Sequence, residues 1–166
     1  MRPNATRKTP ADRLNSSKAG QVRIISGQWR RQMLPVLAHD GLRPSSDRVR
    51  ETVFNWIHHL WGGQFADKHV LDVFAGSGAF GLECISRGAR DVTMLDVYPA
   101  AVNAILQTLQ HWQQQDESVA QAKALCVDST QTLIEMNQRG AQYDLIFLDP
   151  PFGHDWLSRI IPLVLP

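Results

Sequence analysis

The chain is poor in the residues that fix a protein through covalent or metal cross-links. Its 166 residues include two cysteines, Cys84 and Cys126. Two thiols without ligand spacing exclude a disulfide framework and a zinc site, and read as buried, reduced residues of a cytoplasmic protein. The six histidines form no ligand-like pattern. His58 and His59 are neighbours on an expected helix, where adjacent side chains point apart, so no metal is expected. No apolar run approaches the roughly 20 residues of a membrane span. The basic N-terminus lacks the apolar stretch of a secretory signal. Internal repeats are absent, as is low-complexity sequence beyond the N-terminus.

Acidic residues are scarce at one end. Residues 1–50 hold eleven Lys/Arg against three acids, Asp12, Asp40 and Asp47, whereas residues 51–166 hold six against thirteen. A basic head on an acidic body suits a polyanionic partner for the head. Within it, residues 1–20 are dominated by Pro, Ser, Asn and Lys and are expected to be a disordered tail. Hydrophobic residues, at 43%, suffice for one real core.

What is present is organised. "VRII" and "MLPVL" are short β-type runs around "SGQWRRQ", expected as a hairpin carrying Arg23, Arg30 and Arg31. "LRPSSDRVRETVFNWIHHLW" reads as a helix with capping oxygens at Ser45, Ser46 and Asp47. Val49, Val53, Trp56, Ile57 and Leu60 recur at helical spacing as one apolar stripe, with Arg48 and Arg50 off it. From Lys68 onward strands and helices alternate. The strands are "HVLDVF", "DVTMLD", "ALCVD" and "YDLIFLD". The helices are "GAFGLECISRG", ended by Gly88, "PAAVNAILQTLQHW", "STQTLIEMNQRG" and one beginning in "HDWLSRIIPLVLP". This pattern predicts an α/β fold, a parallel sheet with helices on both faces. The expected division is a tail at 1–20, a hairpin and helix at 21–62, and a binding and catalytic domain at 63–166.

Each expected strand ends in an aspartate: Asp72, Asp96, Asp128 and Asp149. Ligands of such sheets sit at the carboxyl ends of the strands. "DVFAGSGAFG" contains G-x-G-x-x-G at Gly76, Gly78 and Gly81, the spacing of a dinucleotide loop. The first two glycines permit a tight turn and close approach to the main chain, with Phe74 and Ala75 in the same turn. Asp72 would repel a pyrophosphate there. It suits a cationic ligand, such as the amino-acid end of S-adenosylmethionine. Asp96 is placed to accept both ribose hydroxyls, which does not separate this cofactor from NAD. Asp128 is expected at the adenine amino group with Ser129 beside it, although capping the next helix is a live alternative.

"FLDPPF" is the most specific signal. Pro150 and Pro151 remove two N–H donors and stiffen the loop. Carbonyls and the Asp149 carboxylate remain as acceptors, with Phe152 beside them. That set suits a flat base presenting an exocyclic amine: Phe152 stacks on the ring, while Asp149 and the Pro150 carbonyl receive the amine hydrogens. An amino-methyltransferase is therefore expected, acting on an RNA base, DNA adenine or a protein glutamine. A dinucleotide-dependent oxidoreductase and a non-catalytic RNA-binding module are the remaining alternatives.

On these stretches the chain resembles class I S-adenosylmethionine-dependent methyltransferases with a [DN]-P-P-[YF] loop. More narrowly it is similar to the bacterial 16S ribosomal RNA guanine-N2 methyltransferase family, through "RIISGQWRRQMLPV", "LRPSSDRVRETVFNW", "LDVFAGSGAFGLECISRGA" and "YDLIFLDPPF". The resemblance implies a Rossmann-like fold and methylation of a guanine of small-subunit rRNA, within a subunit or its assembly intermediate, by a monomer. It implies a helix at 46–61 lying over the cofactor pocket. Arg23, Arg30, Arg31, Arg43 and Arg48 are the candidate RNA contacts. Two departures stand out. Arg31 occupies a place where the family usually has glycine. The sequence also ends at Pro166, before the fifth of seven strands, so a truncated chain is expected, with "IIPLVLP" an apolar end lacking a packing partner.

Overall fold

The computed structural model describes residues 20–37, 45–151 and 155–165. Most of the expected tail, together with Arg43 and Phe152, lies outside the described residues. The chain opens with the expected hairpin, β1 (Gln21–Arg23) paired antiparallel with β2 (Met33–Pro35). Helix α1 (Asp47–Leu60) is next. Then come β3 (His69–Asp72), α2 (Ala79–Ser86), β4 (Asp91–Asp96) and α3 (Pro99–Gln113). A short 3-10 helix (Glu117–Gln121), which the sequence pattern did not announce, leads to β5 (Lys123–Cys126), α4 (Ser129–Gln138), β6 (Leu145–Phe147) and α5 (Trp156–Val164).

The last four strands form one parallel sheet in the order β5-β4-β3-β6. Side chains alternate across it, as strand geometry requires. Val70, Val92, Met94, Ala124 and Phe147 join a core with the hairpin and with α1, α2 and α3. Leu71, Val73 and Leu95 join a second core with Leu133 of α4 and Ile160 of α5. The sheet thus carries helices on both faces, and its register sets Asp72 opposite Phe147 and Asp96 opposite Cys126.

The hairpin is bolted to this body. Trp29 stacks on Trp112 of α3, centroids 4.1 Å apart and 4° from parallel. Gln32 Oε1 accepts the Trp112 indole N–H at 2.8 Å. The fully buried Glu83 of α2 accepts the backbone N–H groups of Ile25 and Ser26 at 2.7 and 3.0 Å. Gly27 is required by this contact. Its φ is +86°, and a Cβ there would lie 1.8 Å from the Ser86 carbonyl oxygen. Burial of each large apolar side chain in these cores is worth roughly 1.5–3 kcal/mol.

Three expectations are corrected. Helix α1 buries Arg50, Phe54 and Ile57 rather than the whole stripe. Phe54 packs between Phe80 and Phe147, at 6.1 and 5.9 Å, which turns Val49, Trp56 and Leu60 outward, Trp56 being 70% exposed. Cys126 is exposed, because β5 lies at the sheet edge among the described residues, while Cys84 is buried in α2. The C-terminal segment does have partners: Ile160 is fully buried, and Leu163 and Val164 pack on the same core.

Candidate functional site

The turn after β3 is built on two left-handed glycines, Gly76 (φ +53°) and Gly78 (φ +76°). The Ala75 N–H donates to Leu95 O at 2.8 Å, and the Gly78 N–H to Ala75 O at 2.7 Å, so the loop is tied to β4 and to itself. Gly78 stands at the N-cap of α2 and has no capping side chain. A Cβ there would lie 2.9 Å from Leu82 Cδ1 and 3.0 Å from Ile105 Cγ1. Gly81 serves packing instead: its Cβ would fall 2.5 Å from Met94 Cγ, where α2 crosses β4.

Asp72 is 1% exposed. Its Oδ2 accepts the Gly81 N–H at 3.1 Å, which supplies from β3 the cap that Gly78 cannot. Its Oδ1 is buried without a well-formed hydrogen bond. Burial foremost raises its pKa from the ordinary 3.8 to about 7; the nearby Asp149 and Asp96 charges push the same way, while the Gly81 and Phe74 N–H groups oppose. A buried carboxylate with one oxygen poorly supplied with donors, near other acids, suits a cation or a strong donor.

Asp96 is 9% exposed and holds the loop. Its Oδ2 accepts the Gly76 N–H at 2.7 Å and its Oδ1 the Tyr98 N–H at 2.8 Å. A carboxylate oxygen can accept more than once, so ribose hydroxyls are compatible with this role. Phe74 meets Trp156 of α5 edge to face at 5.8 Å. Asp128 and Ser129 are engaged differently. Asp128 Oδ1 accepts the Gln131 N–H at 2.9 Å as the N-cap of α4, the alternative that its position left open. The buried Ser129 hydroxyl donates to Val73 O at 2.7 Å.

Asp149 lies exposed two residues beyond β6, and Pro150 and Pro151 come directly after it. Ser45 Oγ donates to its Oδ2 at 2.5 Å, linking the residues just before α1 to the D-P-P loop. Sequence reasoning assigned Ser45 to capping; Ser46 is the N-cap, accepting the Val49 N–H at 3.4 Å. Trp156 was missed altogether, its signal being only an aromatic at a helix start.

Of the candidate RNA residues, Arg23, Arg30 and Arg31 belong to the hairpin and Arg48 to α1, while Arg43 lies outside the described residues. Arg23, Arg30, Arg31 and Arg48 are all exposed. Arg23 pairs with Asp47 at 3.3 Å. Arg31, in the hairpin loop, has φ +74°, the left-handed conformation that glycine adopts without strain. Beneath them Arg50 is fully buried, and its Nη2 donates to Arg23 O at 2.8 Å and Asp47 Oδ1 at 2.6 Å.

The family described as Conserved hypothetical protein 95 matches residues 22–165. Ribosomal RNA small subunit methyltransferase D of Escherichia coli (strain K12) is 38% identical over 150 residues, covering 90% of this chain and 70% of its own length. Its namesake from Haemophilus influenzae is 39% identical over 148 residues, 87% of this chain and 71% of that protein. Among solved structures, a putative methyltransferase from Escherichia coli superimposes with a TM-score of 0.70 at 39% identity, covering 87% of this chain and 72% of that one. A 16S rRNA N2 methyltransferase from T. thermophilus, solved with AdoMet and guanosine, shares the fold with a TM-score of 0.59 at 24% identity, covering 83% of this chain and 34% of that one.

Proposed function

Because the chain belongs to the family described as Conserved hypothetical protein 95, and the two relatives described above are named small-subunit ribosomal RNA methyltransferases, we propose that it methylates the exocyclic N2 amine of a guanine in 16S ribosomal RNA, with S-adenosylmethionine as methyl donor. The observation that carries this reading is the pairing of two carboxylates of different character at adjacent strand ends. Asp72 is buried with an oxygen short of a donor, and Asp149 is exposed beside two prolines. The first suits a bound cation; the second suits an incoming amine.

S-adenosylmethionine, when bound, would supply a methyl activated by its sulfonium, with a neutral thioether as leaving group. The Gly76–Gly78 turn would give its amino-acid end close access to the main chain, and Asp72 would accept from its ammonium. Asp96 accepts from the ribose while keeping the loop in shape. Asp149 and the Pro150 carbonyl accept the two N2 hydrogens and aim the nitrogen lone pair, with Phe152 against the base. Asp149 would take the proton that N2 gives up on methylation. Orientation of this kind supplies roughly 7–11 kcal/mol, and the acceptor a further ~10²–10⁴-fold. The exposed arginines of the hairpin and α1 bind rRNA phosphates, in a cytoplasmic subunit or its assembly intermediate, and the chain acts as a monomer.

The test is labelled methyl transfer to isolated small subunits, naked 16S rRNA, DNA and a glutamine peptide, with nucleoside analysis of the product. N2-methylguanine in rRNA is expected; label in adenine or in the peptide would overturn the substrate. Asp149→Ala is expected to lose transfer and keep cofactor affinity, whereas wild-type turnover would sink its assignment.

A further inference from the structure

We propose that Ser45 is a positioning residue for methyl transfer, holding the Asp149 carboxylate so that one oxygen is engaged and the other is presented to the target amine. This rests on Asp149 being the acceptor described above. A carboxylate has only acceptors to offer, so in the contact at 2.5 Å the Ser45 hydroxyl is the donor and Asp149 Oδ2 the acceptor. That length is at the short end for an O–H donating to an ionised oxygen, where such bonds are strongest. Asp149 sits exposed on a loop. Without a partner its carboxylate would sample rotamers and rotate about its terminal bond. With Oδ2 taken, Oδ1 is left for the amine hydrogen, and the plane of the carboxylate is set before the base arrives.

Ser45 is itself held in place by its two successors in the chain. Ser46 caps α1 through the Val49 N–H. Asp47 pairs with the buried Arg50 at 2.6 Å and with Arg23 of the hairpin at 3.3 Å. Three successive residues therefore tie the catalytic loop, the start of α1 and the arginine-bearing hairpin together. The contact spans 104 positions of sequence, so the loop after β6 is oriented by a segment of the N-terminal arm rather than by its own neighbours. The two prolines stiffen the loop's backbone; they leave the Asp149 side-chain torsions free, and Ser45 restrains those.

The experiment is single-turnover methyl transfer to small subunits by wild type, Ser45→Ala, Ser45→Thr, Asp149→Ala and the double variant Ser45→Ala/Asp149→Ala. Cofactor Kd and Tm are measured on each. Ser45→Ala is expected to slow transfer about 10- to 100-fold, the scale of a misplaced reacting group, with unchanged cofactor Kd and Tm. Ser45→Thr restores the hydroxyl and the rate. On the residual single-turnover rate of Asp149→Ala, removing the hydroxyl is expected to change nothing further, because there is no carboxylate left to hold. A Ser45→Ala rate within twofold of wild type overturns the proposal, as does an equal loss with and without Asp149, or a loss that tracks Tm and is not rescued by threonine. Absence of transfer by wild type, or its retention in Asp149→Ala, overturns the underlying reading and the proposal with it; these outcomes are seen before any Ser45 variant is compared.

Discussion

Replacing Asp72 by asparagine separates its folding role from its binding role. Burial above all lifts the Asp72 pKa from 3.8 to about 7. Between those values the unfolded chain has released the proton and the folded chain retains it. The folded state then binds more protons, so stability falls as pH rises through that window. A gap of about 3 units, at about 1.36 kcal/mol each, corresponds to about 4 kcal/mol lost between pH ~4 and ~8 in the ligand-free protein. In Asp72→Asn the side-chain carbonyl still accepts the Gly81 N–H, and the group never ionises. The substitution leaves a buried NH2 without an acceptor, at a cost of about 1–3 kcal/mol. The variant is therefore expected to be less stable than wild type at pH 4 and more stable at pH 8, by about 1–3 kcal/mol, or several degrees in Tm. Urea denaturation across the pH range measures this crossing. S-adenosylmethionine affinity is expected to move oppositely. Wild type binds more weakly as pH falls below about 7, where Asp72 takes up its proton, and Asp72→Asn binds weakly at every pH. Parallel stability curves for the two proteins, with no crossing, would refute the assignment of a buried, reluctant charge at Asp72.

Asp96→Ala is expected to weaken cofactor binding at least tenfold by isothermal titration, since it frees the Gly76 and Tyr98 N–H groups as well as the ribose; an unchanged Kd counts against it. Arg31→Gly relieves a left-handed arginine and is expected to raise stability by about 1 kcal/mol. The same change should reduce the salt slope of rRNA binding by about 0.7–0.9, and a slope left intact removes Arg31 from the interface. Gly27→Ala puts a methyl against the Ser86 carbonyl and is expected to destabilise by about 3 kcal/mol in denaturant titration, with the hairpin undocked. In thiol labelling of the native protein, Cys126 is expected to react promptly and Cys84 only on unfolding, because burial hides the Cys84 thiol and pushes its pKa well above the ordinary value; fast modification of both would contradict the buried α2 face.

The elements that sequence periodicity located are those whose character is set by their own residues, even where, as with β6 beside β3, the partner strand is distant in sequence. β3, β4, β5 and β6 are short apolar runs punctuated by glycine and aspartate, and the parallel order emerges once helices separate them. The aspartates were legible for the same reason, although only Asp72 and Asp96 are the last residues of their strands, Asp128 and Asp149 falling two residues past β5 and β6. What was misread depended on rotation about an axis or on contacts across the chain. The α1 stripe at Val49, Val53, Trp56, Ile57 and Leu60 and the buried face at Arg50, Phe54 and Ile57 share Ile57. Hydrophobicity alone favoured the first, and the aromatic partners Phe80 and Phe147 selected the second. Arg50 lay off the expected stripe, yet it is fully buried: its Nη2 bonds the Arg23 carbonyl and Asp47, while its Nε and Nη1 are buried without a hydrogen-bond partner.

Asp72 shows how a local rule and a distant contact meet in one residue. Its position before the glycine loop argued against a phosphate, and that argument concerned charge alone. The fold adds that the same carboxylate caps α2 across nine residues, because Gly78 needs its left-handed turn and so has no side chain to do it. A cap by itself is satisfied with one oxygen. The second oxygen of Asp72 is the part that packing does not explain: it is buried, poorly bonded and surrounded by like charge. The stability crossing of Asp72→Asn reports the burial that raises this pKa, and a buried helix cap would show it too. The fall of S-adenosylmethionine affinity below pH ~7 is what separates the two roles, since a residue kept only for the cap leaves cofactor binding unchanged when its proton returns.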